Sequence, residues 1–136
     1  MKEIIAVIRM NKVSATKRAL VDVGIAGFTA FKVMGRGRLV DDLAVIEERR
    51  KTLLSMSDSK GNEQVEKMVV QFLDGTRLFP RRLFTILAHD EDVDKIVAAI
   101  ISVNRTDYKV GDGKIFVLPV LDAIRVRTGE SGEAGV

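Results

Sequence analysis

Three short stretches of the 136-residue sequence join glycine to basic side chains, a combination that lets backbone close on an anion while a positive charge meets it. In Gly35-Arg36-Gly37-Arg38, alternating glycines permit a sharp turn and a close approach of ligand to backbone N–H groups. The dinucleotide fingerprint G-x-G-x-x-G is excluded because it needs glycine where Val40 stands; alone, the stretch reads most simply as a turn with two solvated arginines. In Gly111-Asp112-Gly113-Lys114, glycines on either side of an aspartate favour a nest of N–H donors, and Lys114 adds a mobile charge. A Walker A loop would need glycine at Tyr108 and Ser or Thr at Ile115, so that motif is excluded, and an ordinary turn before a strand explains the stretch equally well. The third stretch is Arg125-Val126-Arg127. Read as a strand, it sends both guanidiniums to one face and Ile124 and Val126 to the other, a spacing suited to phosphate oxygens. Adjacent like charges destabilise a strand face, so the pair calls for an anion or an acidic partner. The three stretches together predict a polyphosphate ligand, and they bring neither a general base nor a nucleophile.

Composition narrows the classes further. Cysteine is absent, which excludes disulfides, thiolate metal sites and cysteine nucleophiles. The one histidine, His89, rules out a two-histidine metal centre; at a predicted helix start it reads as a capping or solvated side chain. No G-x-S-x-G elbow occurs. Twenty-two basic residues against 19 acidic give +3, too small an excess to argue for nucleic acid. A hydrophobic fraction of 46% and a charged fraction of 30% fit a single domain over residues 1–136 with a real core. No apolar run approaches the ~20 residues of a membrane span, and the opening, with its acidic Glu3, does not read as a signal peptide. A cytoplasmic protein without membrane insertion is expected.

The elements that must position these stretches follow from hydrophobic spacing. Residues 3–9 form an almost continuous apolar run, predicting a central strand buried on both faces. Asn11 to Ser14 supply turn and N-cap chemistry for a helix over 15–23, with Ala19, Leu20 and Val23 on one face and Gly24 as its C-terminal cap. Strands are predicted over 27–34 and 82–88. The acidic stretch from His89 to Asp92 starts a second helix, whose inner face is Val93, Ile96, Val97 and Ile100. A polar loop over 104–114 leads to short strands over 115–118 and 122–127, interrupted by Pro119. The order is β-α-β, an insertion from about 39 to 80, then β-α-β. That is the α+β, ferredoxin-like plan of a four-stranded antiparallel sheet with two helices on one face. Within the insertion, residues 41–54 fit an amphipathic helix and 63–73 a second helix or strand. A segment this long in a small domain is read as an interaction element.

Residues 111–130, GDGKIFVLPVLDAIRVRTGE, resemble the C-terminal motif of the PII family of nitrogen-regulatory signalling proteins. The opening, MKEIIAVIRMNKVSATKRALVDVGIAGFTAFKVMGRGR, is similar to that family's N-terminal half, with the Gly35–Arg38 turn in its place. The resemblance covers residues 1–38 and about 79–130. It implies a homotrimer with nucleotide sites in the clefts between subunits, ATP and ADP as competing ligands, and 2-oxoglutarate bound together with Mg-ATP. It also implies that the insertion is the family's T-loop, which docks on target proteins. Carried over by position, Gly35, Gly37 and Arg38 belong to the loop base near the phosphates. Gly111, Asp112, Gly113 and Lys114 match the phosphate-binding turn, and Arg125 and Arg127 the paired arginines, contributed by the neighbouring subunit's side of the cleft. Val7, Thr29 and Leu87 match positions around the nucleoside. Arg81 and Gly111 are assigned to the effector.

Several positions depart from the family pattern. Leu39 replaces the glutamine that joins Mg²⁺ and 2-oxoglutarate, and leucine cannot coordinate a hard cation. Arg81 stands for the lysine that follows the loop's closing proline, and Thr85 for a glutamate of the third strand. The only tyrosine is Tyr108, which excludes uridylylation of a T-loop tyrosine. The insertion and residues 103–107 look more like the branch associated with nitrogenase genes in methanogens and anaerobic bacteria. The resemblance therefore implies a non-enzymatic regulator with nitrogenase as target and a second PII-like chain as a candidate partner. The alternatives are a divergent member acting on an ammonium channel or a nitrogen-assimilation enzyme, and an RNA-binding ferredoxin-like module. The strand Lys114-Ile115-Phe116-Val117 lacks the aromatic-rich stacking surface the last would need.

Overall fold

The computed structural model describes residues 1–25, 27–37, 67, 71, 78–107 and 111–136. The chain divides into two units, one made of Met1–Val33 and Pro80–Val136, the other of Met34–Phe79. In chain order the elements are β1 (Lys2–Arg9), a single 3₁₀ turn (Met10–Lys12), α1 (Val13–Asp22), β2 (Thr29–Gly35), β3 (Phe79–Ala88), a second 3₁₀ turn (Asp90–Asp92), α2 (Val93–Asn104) and β4 (Gly113–Pro119). They form one four-stranded sheet in the order β2-β3-β1-β4, with β1 antiparallel to both β3 and β4. The α+β architecture predicted from hydrophobic spacing is present.

Alternation along the strands decides where the core lies. In β1, Ile4, Ala6 and Ile8 are buried; the register sets Ile4 against Ile86 and Val117, and Ala6 against Phe84 and Ile115. Ile4, Ala6, Ile8, Phe84 and Ile86 share one core with Leu20 of α1 and with Ile96 and Ile100 of α2, Ile115 packing against it while Val117 stays part-exposed, so both helices cover the same face. The Phe28 ring packs on Phe84 with centroids 5.5 Å apart. Val93 and Val97 complete the inner face of α2 at the spacing read from sequence. One polar tie crosses the layer: Asn104 Nδ2 donates to Thr16 Oγ1, which donates to the Lys12 carbonyl, each at 2.9 Å.

The opposite face of the sheet differs from expectation. Ile5, Val7, Leu83 and Leu87 are only half-buried and Phe116 is 48% exposed, so β1 is central but not covered on both faces within one chain. Two further readings are corrected. Ser14 does not cap α1, whose N-cap position is Lys12 without a side-chain hydrogen bond; the preceding 3₁₀ turn runs straight into the helix, with the Val13 N–H on the Met10 carbonyl. Residues 122–127 are not a strand. Ile124 makes an isolated bridge to Ser131, and 126–128 form a turn closed by the Thr128 and Gly129 N–H groups on the Arg125 carbonyl. By contrast Gly24 caps α1 as predicted, at φ +87°, with the Ile25 N–H on the Leu20 carbonyl. The helix predicted over 41–54 and the helix or strand predicted over 63–73 lie outside the described residues, apart from Lys67 and Gln71, which are helical. Among the described residues no helix is long and apolar enough to cross a membrane.

Candidate functional site

The Gly111–Lys114 stretch opens β4 on the sheet's exterior, where Gly113 pairs with Ile8 and Lys114 with Val7. Its backbone is one that only glycine accepts readily: φ is +97° at Gly111 and +123° at Gly113. A Cβ on Gly113 would lie 2.2 Å from the Val7 carbonyl oxygen, so β4 approaches β1 closely because that side chain is missing. The turn is tied from beneath. Arg9 at the end of β1 donates Nε to the Gly111 carbonyl at 2.9 Å and sets a terminal nitrogen 2.9 Å from Asp112 Oδ1. Thr106, just past α2, donates its backbone N–H to Asp112 Oδ2 at 2.9 Å and its hydroxyl to Oδ1 at 2.6 Å. These Thr106 donors, with the Arg9 charge beside them, hold the Asp112 carboxyl below its ordinary value of 3.8 despite some desolvation.

Arg9 was not among the residues singled out from the sequence. Its contact with Gly111 spans 102 positions, and no local pattern signals it. On the uncovered face Arg9 stands directly opposite Arg81, and a terminal Arg81 nitrogen lies 3.9 Å from where a Gly111 Cβ would be. Arg81 and Gly111, assigned together to an effector, are thus brought together. Lys114 reaches over the Phe116 ring on the same face at 6.0 Å.

Leu87 does not join them within one chain. Leu87 pairs with Glu3, four residues from Val7 and therefore about 13 Å along the sheet at ~3.3 Å per residue. The Thr85 hydroxyl fills the intervening position by donating to Glu3 Oε1 at 2.6 Å. Thr29 opens β2 and is exposed. Gly35 closes β2, and among the described residues a Cβ built on Gly35 or Gly37 meets nothing within 4 Å beyond its chain neighbours. Arg38 and Leu39 lie outside the described residues.

Arg125 and Arg127 are found on the turn that replaces the predicted strand, so the two-residue alternation does not align them. Arg125 is engaged with its own tail, one nitrogen 2.8 Å from Glu130 Oε2 and another donating to the Val136 carbonyl at 2.9 Å. Arg127 is exposed. That tail is anchored where β1 begins and β3 ends. Glu133 takes the Met1 ammonium at 3.0 Å and His89 Nδ1 at 2.6 Å, contacts that lower its carboxyl, His89 foremost. His89 stands at the N-cap position of the Asp90–Asp92 turn, where its carbonyl rather than its ring takes the Asp92 N–H, and its part-exposed side chain is paired with Glu133. Of these residues, Val7, Arg81 and Gly111–Lys114 lie towards one end of the sheet, Leu87 and the Arg125 tail towards the other.

The family model for "Nitrogen regulatory protein P-II" matches residues 1–130 of this sequence. The chain belongs to the P-II family. Among its relatives, "Nitrogen fixation nifHD region GlnB-like protein 2" of Methanobacterium ivanovii is 40% identical over 136 residues, covering 100% of this chain and 99% of that one. A "Nitrogen fixation nifHD1 region GlnB-like protein 2" of Methanosarcina barkeri is 38% identical over 98% of this chain and 97% of its own length. The "Nitrogen regulatory protein P-II" of Cereibacter sphaeroides is 35% identical over the full length of both. A nitrogen-regulatory role, in a P-II chain similar to those named for nitrogen-fixation regions, follows from these matches.

Proposed function

We propose that this P-II chain is a non-enzymatic sensor that binds ATP or ADP in clefts between identical subunits and regulates a target through the insertion over 39–80. The observation that carries the reading is the division of the candidate site between the two ends of one sheet. A single copy cannot close Leu87 and Arg125 onto the Gly111–Lys114 turn, whereas a symmetric ring of copies sets one end of a subunit against the other end of its neighbour. The half-exposed apolar face around Ile5, Val7, Leu83 and Phe116 supplies surface for that association, and three subunits follow the family pattern. Glycine-framed N–H groups and Lys114 would meet the phosphates from one side, Arg125 and Arg127 from the other.

Arg81 beside Gly111 fits the carboxylate of an effector such as 2-oxoglutarate. Protein ligands for Mg²⁺ do not fit. Leu39 has no donor atom, Asp112 is already engaged by Arg9 and Thr106, and among the described residues no three His, Asp or Glu side chains gather. A Mg²⁺ arriving with nucleotide would rely on phosphate oxygens and water. The nifHD-region names of the relatives support nitrogenase as the target, with a second PII-like chain as a further partner. Effector and target act on one another only through different affinities for two loop states, a coupling of about 1–3 kcal/mol.

Calorimetry on the Arg125→Ala, Arg127→Ala double variant tests the site. Its ATP affinity is expected to fall at least a hundredfold with circular dichroism unchanged, and an unaltered affinity overturns the assignment.

A further inference from the structure

If the Gly111–Lys114 turn holds a polyphosphate, as proposed above, a carboxylate stands in the middle of a cradle for negative charge. Beside phosphate oxygens an uncompensated Asp112 would repel the ligand. The geometry shows the charge otherwise employed. Oδ1 receives the Arg9 guanidinium and the Thr106 hydroxyl, and Oδ2 receives the Thr106 backbone N–H. Arg9 completes the loop by donating Nε to the Gly111 carbonyl, the residue before Asp112.

We propose that Asp112 is a positioning residue rather than a phosphate ligand: with Arg9 and Thr106 it forms a clasp that sets the backbone N–H groups of the turn before any anion arrives. This rests on the reading of the turn as a phosphate cradle. Three separate segments are locked by the clasp, namely the end of β1, the stretch after α2 and the start of β4. Side chains of Arg9 and Asp112 are 20% and 30% exposed, too open for the ion pair alone to weigh much. The value of the contact lies in its geometry, since two charge-assisted bonds from one planar fork fix both the carboxylate and the adjacent carbonyl. Preorganised donors bind more tightly because their ordering does not have to be met on binding. The clasp has a second effect. Arg9 and Arg81 are cross-strand partners of like charge, and Asp112 neutralises one of them, leaving Arg81 to an incoming anion.

The test uses the whole protein and the variants Asp112→Asn, Thr106→Val and Arg9→Lys. Amide hydrogen exchange of residues 111–114 is measured without nucleotide, and ADP binding by calorimetry in EDTA. Asp112→Asn is expected to speed exchange at least tenfold in the free protein and weaken ADP at least tenfold. Thr106→Val and Arg9→Lys are expected to shift both readouts in the same direction by less, and they decide the matter should Asp112→Asn fail to fold. Unchanged exchange in the free variants overturns the clasp, whatever happens to ADP. Faster exchange with unchanged ADP affinity overturns its role in positioning. Should the unsubstituted protein bind no ADP, the nucleotide reading falls, while the exchange measurement still decides whether the clasp exists.

Discussion

Glycine positions in this chain differ in what they require, and the difference is measurable. At Gly113 both the backbone angle and the neighbouring Val7 carbonyl forbid a Cβ, whereas at Gly129 the angle is +74° with no atom within 4 Å. Gly129→Ala is expected to cost only the left-handed strain, roughly 1–2 kcal/mol. Gly113→Ala should cost clearly more, with a lower melting temperature and loss of nucleotide binding; equal melting temperatures would contradict the close β1–β4 approach. Asp112 gives a prediction in pH. Its carboxyl is held low by Thr106 and Arg9, so the contribution of the clasp is complete above the ordinary carboxylate value of 3.8 and is lost as pH falls through the lower native value. The Thr106 amide resonance should therefore titrate below 3.8, and Asp112→Asn should abolish that step. A titration at or above 3.8 would count against the clasp.

Elements held together by a polar tie in an apolar layer should respond asymmetrically. Asn104 on α2 is buried and donates to Thr16 of α1 and to the Ile100 carbonyl. Asn104→Ala removes both bonds and is expected to destabilise by about 1–3 kcal/mol. Thr16→Val leaves Asn104 its Ile100 partner and should cost about 1 kcal/mol, both read from denaturant unfolding. This tie was invisible in the sequence, because Thr16 looks like a solvated helix residue and Asn104 like the start of a polar loop until the 88-residue separation is closed. The apolar face of α2 was legible, whereas α1 buries Thr16 and Leu20 rather than the Ala19, Leu20 and Val23 face expected. Val93, Ile96, Val97 and Ile100 repeat at helical spacing, and only one face of α2 can satisfy them. The strand read over 122–127 failed for a physical reason. Alternation of Ile124, Val126 and the two arginines mimics a strand, yet Val126 is fully exposed, and Gly129 and Gly132 at positive φ fold the tail back on itself.

On the scale of the molecule, the two helices cover one face of the sheet, and among the described residues the other face is only half-buried. Replacing Phe116 by Asp on the uncovered face is expected to give monomers in analytical ultracentrifugation and to abolish nucleotide binding, since both half-sites would be separated. A variant still assembled would show that the subunits meet elsewhere. Deletion of residues 42–76 should preserve assembly and nucleotide binding and lose regulation of the target; retained regulation would remove the insertion from its role as effector arm.

By itself, the sequence determined the α+β plan, the inner face of α2 and the glycine and basic residue types of a candidate anion site, because periodicity and residue type are local properties of a chain. Tertiary structure alone decided that Arg9 and Thr106 converge on Asp112, that Arg125 lies on a folded tail, and that the assigned residues occupy opposite ends of one sheet. The Arg9 contact and the division between the sheet's ends depend on strand register and on contacts across most of the chain, which residue spacing does not encode, while the tail is set by turn bonds from Arg125 to residues 128–130 that its strand-like alternation conceals.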